Sequence, residues 1–161
     1  MSDKIQLLFV DDEEEFLNYM TKRLLKRDFD VAAYSNPIQA LAETEGQTFD
    51  VALLDLKMPE MDGEILLSRL KKRDPQVEVI ILTGHGTIQS AFSASRSGAY
   101  EYLLKPCEFD DLVTAVSSAY AKRIKAEEER KTERVNELVR QAKGMSPLNL
   151  LQELKKLKDE H

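Results

Sequence analysis

The sequence predicts an α/β fold: a doubly wound parallel sheet built from five strand–helix units, (βα)5, with a helical tail at the C-terminus. Three observations predict it. Five short apolar runs recur through the first 121 residues, as buried strands do. A stretch with helical spacing of apolar residues follows each run. Strands that alternate with helices pair in parallel through right-handed crossovers.

The elements follow in order. Ile5–Val10 (IQLLFV) is nearly all apolar, as in a strand covered on both faces. Glu13–Arg27 is a helix with Phe16, Met20 and Leu24 on one stripe, and its acidic first turn suits the positive end of the helix dipole. Asp30–Tyr34 is a second short strand. Asn36 is placed as an N-cap with Pro37 at the first helical position, and that helix carries Ile38, Leu41 and Ala42 and stops near Gly46. Asp50–Leu56 (DVALLDL) is a third buried strand that ends in acid, and the loop KMPEMDG after it is irregular. Glu64–Arg73 is a helix with Ile65, Leu66 and Leu70 inward. Val77–Leu82 is the fourth strand, TGHG its glycine-rich exit, and Thr87–Ser97 a helix of small residues. Tyr100–Leu104 is the fifth strand; Lys105–Pro106 breaks it, and a helix begins near Glu108.

Composition bounds the class. The chain has 161 residues, 42% hydrophobic and 32% charged, which is globular and long enough to bury a core without staples. One cysteine, Cys107, cannot form an internal disulfide, so a reducing, cytoplasmic compartment is expected. No run approaches the ~20 apolar residues of a membrane span, and the N-terminus turns acidic at once, unlike a signal peptide. The net charge of −6 is uneven: residues 1–121 hold 12 Lys+Arg against 21 Asp+Glu, and residues 122–161 hold 11 against 8. An acidic body argues against a broad phosphate-backbone footprint, so direct DNA binding is not expected.

In an open parallel sheet, ligands bind beyond the carboxyl ends of the strands. Asp11 and Asp12 follow strand one; strand three ends at Asp55, strand four at Thr83 and strand five at Lys105. Three carboxylates in one crevice repel unless a cation offsets them, and an all-oxygen donor set suits Mg²⁺. Asp55 is placed as a nucleophile able to form an acyl phosphate, Lys105 to neutralise a transferring phosphoryl group, and Thr83 to hydrogen-bond one of its oxygens.

FVDDEEEF, LLDLKMPEMDG, ILTGHGT and YLLKP resemble the motifs of the receiver domain of two-component response regulators, over roughly residues 3–121. LTGHGT and KP look most like receivers of sigma-54-type transcription activators. The resemblance implies a flavodoxin-like, CheY-like sheet of strand order 2-1-3-4-5. It implies Asp55 as phosphoacceptor; Asp11, Asp12, Asp55 and the backbone carbonyl of Lys57 as Mg²⁺ ligands; and Lys105 as the phosphoryl-binding cation, joined to Pro106 by a cis peptide. Thr83 and Tyr102 would be the switch pair. Lys57 and His85 occupy positions the family varies and would tune the rate of dephosphorylation. The implied partners are a sensor histidine kinase or phosphotransfer protein, and a downstream protein on the face of helix four, strand five and helix five. The implied role is a signalling switch, whose only catalysis is its own aspartyl phosphorylation and dephosphorylation.

Residues 122–161 are too few for a DNA-binding output domain with its linker, or for an ATPase module. KAEEERKTER continues helix five outward, with Glu127 and Lys131 at a favourable spacing. Val135, Leu138, Val139 and Ala142 restore a narrow apolar stripe. Gly144 reads as a stop, and Ser146–Pro147 starts a short amphipathic helix over about 146–158 with Leu148, Leu151, Leu154 and Leu157. This extension is expected to be an interaction element: a helical hairpin docking on the receiver, a self-association helix that would form a homodimer, or a docking helix for a partner. Two other readings compete. One is the receiver and linker of a larger transcription activator. The other is an aspartate-nucleophile phosphatase, which Lys57 counts against because such enzymes place a second acid two residues after the nucleophile.

Overall fold

The computed structural model describes residues 3–142, 144 and 146–159. Its strands are β1 (Gln6–Val10), β2 (Asp30–Tyr34), β3 (Val51–Leu54), β4 (Glu78–Thr83) and β5 (Glu101–Leu104). Its helices are α1 (Glu14–Lys26), α2 (Pro37–Glu43), α3 (Gly63–Arg73), α4 (Ile88–Arg96), α5 (Phe109–Gln141) and α6 (Pro147–Asp159). The strands form one parallel sheet in the order β2-β1-β3-β4-β5. Val10 pairs with Tyr34 on one side and Leu54 on the other, so β1, β2 and β3 end level with one another.

Alternation along each strand builds two cores. Leu8, Val10, Ala52, Leu54, Val79 and Ile81 point to one face, where Leu66, Leu67 and Leu70 of α3 cover them. Leu7, Phe9, Val51, Leu53, Ile80 and Leu82 point to the other, against Leu17, Met20 and Leu24 of α1 and Leu112, Val116 and Ala119 of α5. That is why the strands read as unbroken apolar runs: both faces are buried.

Side-chain phase on the helices departs from the sequence reading. Leu17, rather than Phe16, joins Met20 and Leu24 in the core of α1, and Phe16 is only partly buried. Ile38 and Ile65 are about half exposed, at 49% and 48%, and Ala42 is exposed. Leu41 of α2 and Leu66 and Leu70 of α3 are buried as expected, and Ala40 and Leu67 take the remaining core positions. Each residue turns a helix by about 100°, so a residue placed one position off the stripe, early in α1 and α3 and late in α2, faces the rim of the interface.

Caps set the helix starts. Asn36 Oδ1 accepts from the amides of Ile38 and Gln39 at 2.9 and 3.0 Å, with Pro37 at the first position. Asp62 caps α3 through the Ile65 amide at 3.0 Å, and Thr87 and Ser90 form a reciprocal capping box on α4. The chain divides into two compact units, residues 1–123 and 124–161. The last buried residue of α5 is Arg123, whose guanidinium reaches Asp74 at 2.9 Å and Asp50 at 3.4 Å. In the second unit, Gly144 has φ +107, as a helix-ending glycine does, and α6 starts at Pro147 with no fully buried residue.

Candidate functional site

The level strand ends gather the chemistry. β1 delivers Asp11 and Asp12, β3 delivers Asp55, β4 ends on Thr83, and the turn after β5 carries Lys105. Each of Asp11, Asp12 and Asp55 offers a carboxylate oxygen within 4.8 Å of the others. Asp11 and Asp55 are buried, at 0% and 1% exposure, and Asp12 is more open than either. Lys105 Nζ donates to Asp11 Oδ2 at 2.6 Å and lies 3.4 Å from Glu13 and 4.0 Å from Asp55 Oδ2. Its ammonium also sits 4.2 Å from the centre of the Phe16 ring, which explains why Phe16 is not spent on the core.

The backbone shapes the crevice. Asp55 Oδ1 accepts from the amide of Leu56 at 2.8 Å, and Asp11 Oδ1 from that of Glu13 at 2.9 Å. Gly63 donates to the Leu56 carbonyl at 2.7 Å, and a Cβ there would collide with the Asp55 carbonyl. So the loop KMPEMDG must return to α3 through a residue without a side chain. The Lys105–Pro106 peptide is cis.

Electrostatics mark the site as unbalanced. Burial pushes the Asp11 carboxyl up to about 6, against the opposing pull of Lys105 and the Glu13 amide. Burial raises Asp55 as well, opposed by hydrogen bonding from Thr83 and the charge of Lys105. Burial works against the Lys105 charge, but its hydrogen bond to Asp11 and the surrounding carboxylates hold its pKa above the usual lysine value. One ammonium against three clustered carboxylates leaves a net negative crevice of hard oxygen donors, which fits a small divalent cation.

The remaining expected residues are dispersed around this centre. Thr83 is fully buried, and its hydroxyl accepts from the His85 amide at 3.2 Å. The His85 and Lys57 side chains are exposed. Tyr102 is partly buried, and its hydroxyl shares a 2.7 Å hydrogen bond with Ser90 of α4. A Cβ on Gly86 would meet Leu104 and the Tyr102 ring, so the chain passes close over this tyrosine. The sequence reading missed Glu13, Phe16 and Ser90. The i+4 step from Asp12 to Phe16, and the TIQS start of α4, are the signals that could have found two of them.

The family model for the response regulator receiver domain matches residues 7–117. This chain belongs to the response regulator receiver family. The receiver is 34% identical over 119 residues to the transcriptional regulatory protein ZraR of Escherichia coli strain K12, covering 74% of this chain and 27% of that protein. It is 36% identical over 110 residues to the DNA-binding transcriptional regulator NtrC of Salmonella typhimurium, covering 68% and 24%. The chain thus spans about a quarter of the length of these curated relatives. Among solved structures, a receiver domain protein from Clostridium thermocellum superposes with a TM-score of 0.70 at 35% identity, covering 74% of this chain and 96% of that one. A CheY-like receiver from Methanospirillum hungatei gives 0.74 at 27%, covering 77% and 99%. The sheet order 2-1-3-4-5 and the two-component family expected from the motifs are both borne out.

Proposed function

We propose that this chain is a phosphorylation-controlled switch that takes a phosphoryl group on Asp55 and relays it as a change in a protein-binding face. The observation that carries the proposal is the buried Asp55 carboxylate, with two further carboxylates within 4.8 Å and an ammonium at 4.0 Å. Residues 1–121 are the receiver in this reading, and residues 122–161 a helical extension. The donor is the phosphohistidine of a sensor histidine kinase or phosphotransfer protein, or a small acyl phosphate. The receiver works in the cytoplasm; among the described residues, no helix is long and apolar enough to cross a membrane.

An Asp55 carboxylate oxygen attacks phosphorus, and the bond from phosphorus to the donor's imidazole nitrogen breaks, leaving an acyl phosphate. Asp11, Asp12, Asp55 and the Lys57 carbonyl would hold Mg²⁺, which supplies charge neutralisation for the phosphoryl oxygens. Lys105 exchanges part of its hold on Asp11 for one of those oxygens, and the Thr83 hydroxyl donates to another. Moving the Thr83 hydroxyl frees space beside β5, and the Tyr102 ring turns into it, leaving Ser90. The face of α4, β5 and the start of α5 is thereby remodelled for a downstream protein or a second copy. Water later attacks phosphorus and restores the carboxylate; exposed Lys57 and His85 tune that step. Apart from this self-directed chemistry the chain acts on no outside substrate.

Incubation with acetyl phosphate and Mg²⁺ tests the proposal. Wild type gains about 80 Da by intact mass, and Asp55→Asn does not. An unlabelled wild type, or equal labelling of both proteins, contradicts it. One observation favours a second reading of the output: the matched relatives are about four times longer than the aligned stretch. Here residues 122–161 link the receiver to a transcription-activating module, and the genomic reading frame beyond His161 distinguishes the two.

A further inference from the structure

We infer that the unit of residues 124–161 is a docking groove for an acidic amphipathic helix of a partner protein. The distal part of α5 and the facing side of α6 enclose a groove of about 500 Å³. Its floor is Val135, Leu151, Leu154 and Leu157. Among the described residues its rim is Lys131, Arg134, Lys155 and Lys158, with no acid in the lining. Two helices cannot bury a leucine stripe between them unaided: α6 has no buried residue, and Leu151 remains 55% exposed. A third helix laid along the groove would cover that stripe with apolar residues at i, i+3 or i+4, and i+7.

Charge selects the occupant. An apolar floor alone would accept any amphipathic helix, including α6 of a second copy. A two-fold contact between copies, however, sets a patch against itself and would bring this basic rim onto an identical basic rim. A helix bearing Glu or Asp beside its apolar stripe meets the rim with opposite charge. The placement of charge within the unit agrees with a built preference. Lys156 pairs with Glu153 at 3.1 Å away from this groove, whereas Lys155 and Lys158 are turned onto it. The inference does not depend on Asp55 chemistry, so it is tested on the unphosphorylated full chain and can fail separately.

The probes are two fluorescent peptides of about 20 residues, long enough to populate a helix. They share one leucine pattern and differ in carrying Glu or Lys beside it. Anisotropy titrations of the full chain are expected to show the acidic peptide binding at least about tenfold tighter, a difference of about 1.4 kcal/mol. The preference shrinks as salt rises. The double substitution Lys155→Glu with Lys158→Glu, both on exposed side chains, reverses the order of the two peptides. Leu154→Asp abolishes binding of both, with far-ultraviolet circular dichroism unchanged over the receiver. Equal binding of the two peptides, no binding of either, or an unchanged preference in the double variant overturns the inference. So does a wild-type dimer in sedimentation that the acidic peptide leaves intact.

Discussion

Asp11 has no exposure and is held by a lysine and one amide, so its charge in the cation-free fold is only partly compensated. Its pKa near 6, raised mainly by burial, means the folded protein prefers it protonated more than the unfolded chain does. The sign follows. What this group contributes to stability is present below about pH 4 and is lost as pH rises through about 6, when no cation is bound. A divalent cation reverses that loss by needing the carboxylate charged. We therefore expect Mg²⁺ to raise the melting temperature more at pH 7.5 than at pH 5, with equal gains at both as the contradicting result. Asp11→Asn should weaken Mg²⁺ binding by roughly 10- to 100-fold in a calorimetric titration while relaxing the pH dependence. Asp11, Asp55, Thr83 and Lys105 were legible in sequence because each sits at the end of a strand, where the chain direction fixes which end of the sheet a side chain reaches. Glu13 and Phe16 were not, because their roles come from the reach of Lys105 across from another strand.

Elements transmit what the residues sense. Gly63 opens α3 directly over Asp55, and a β-carbon there would meet backbone, which cannot move aside as a flexible side chain can. Gly63→Ala should cost about 1–3 kcal/mol in a denaturant titration, and a neutral result would show that the loop gives way. Helix α4 is tied at both ends. Its start is held by the Thr87–Ser90 capping box and the Ser90–Tyr102 bond. Its later turns are held by Ser93 and Ser97, whose hydroxyls both donate to Glu64 of α3. Otherwise α4 buries only Ala94 and leaves Ile88 and Phe92 largely exposed, so among the helices of the receiver it has least packing to lose. Glu64→Ala should speed amide exchange across residues 88–96 about tenfold while leaving β1 and β3 unchanged. Uniform change, or none, would show that the link does not hold the helix. The Asn36–Pro37 cap was legible in sequence because it is local; the Thr87–Ser90 box is equally local but was missed, and the Glu64 link and the exposed faces of Ile38 and Ile65 were not legible. Those depend on helix phase against a sheet, which periodicity locates only to within a residue.

At the scale of the whole molecule, the two compact units divide at residue 123, next to the Arg123 clamp on Asp50 and Asp74. Solved receivers matched over 96% and 99% of their own length show that this fold closes without a second unit. Residues 1–123 alone should unfold cooperatively and accept acetyl phosphate at a rate within about twofold of the full chain. Loss of folding in the truncated protein would instead make the tail part of the core. The sequence separated these regions by charge balance and by the absence of strands after residue 104. It could not show that the tail's leucines and lysines share a groove, because that requires two helices brought face to face. The most direct test of the central claim fixes the position of the label. Borohydride converts an aspartyl phosphate to homoserine, about 14 Da lighter than aspartate. After phosphorylation and reduction, peptide mapping should place that loss on Asp55 alone; the loss at Asp11 or Asp12, or at no aspartate, would contradict the account.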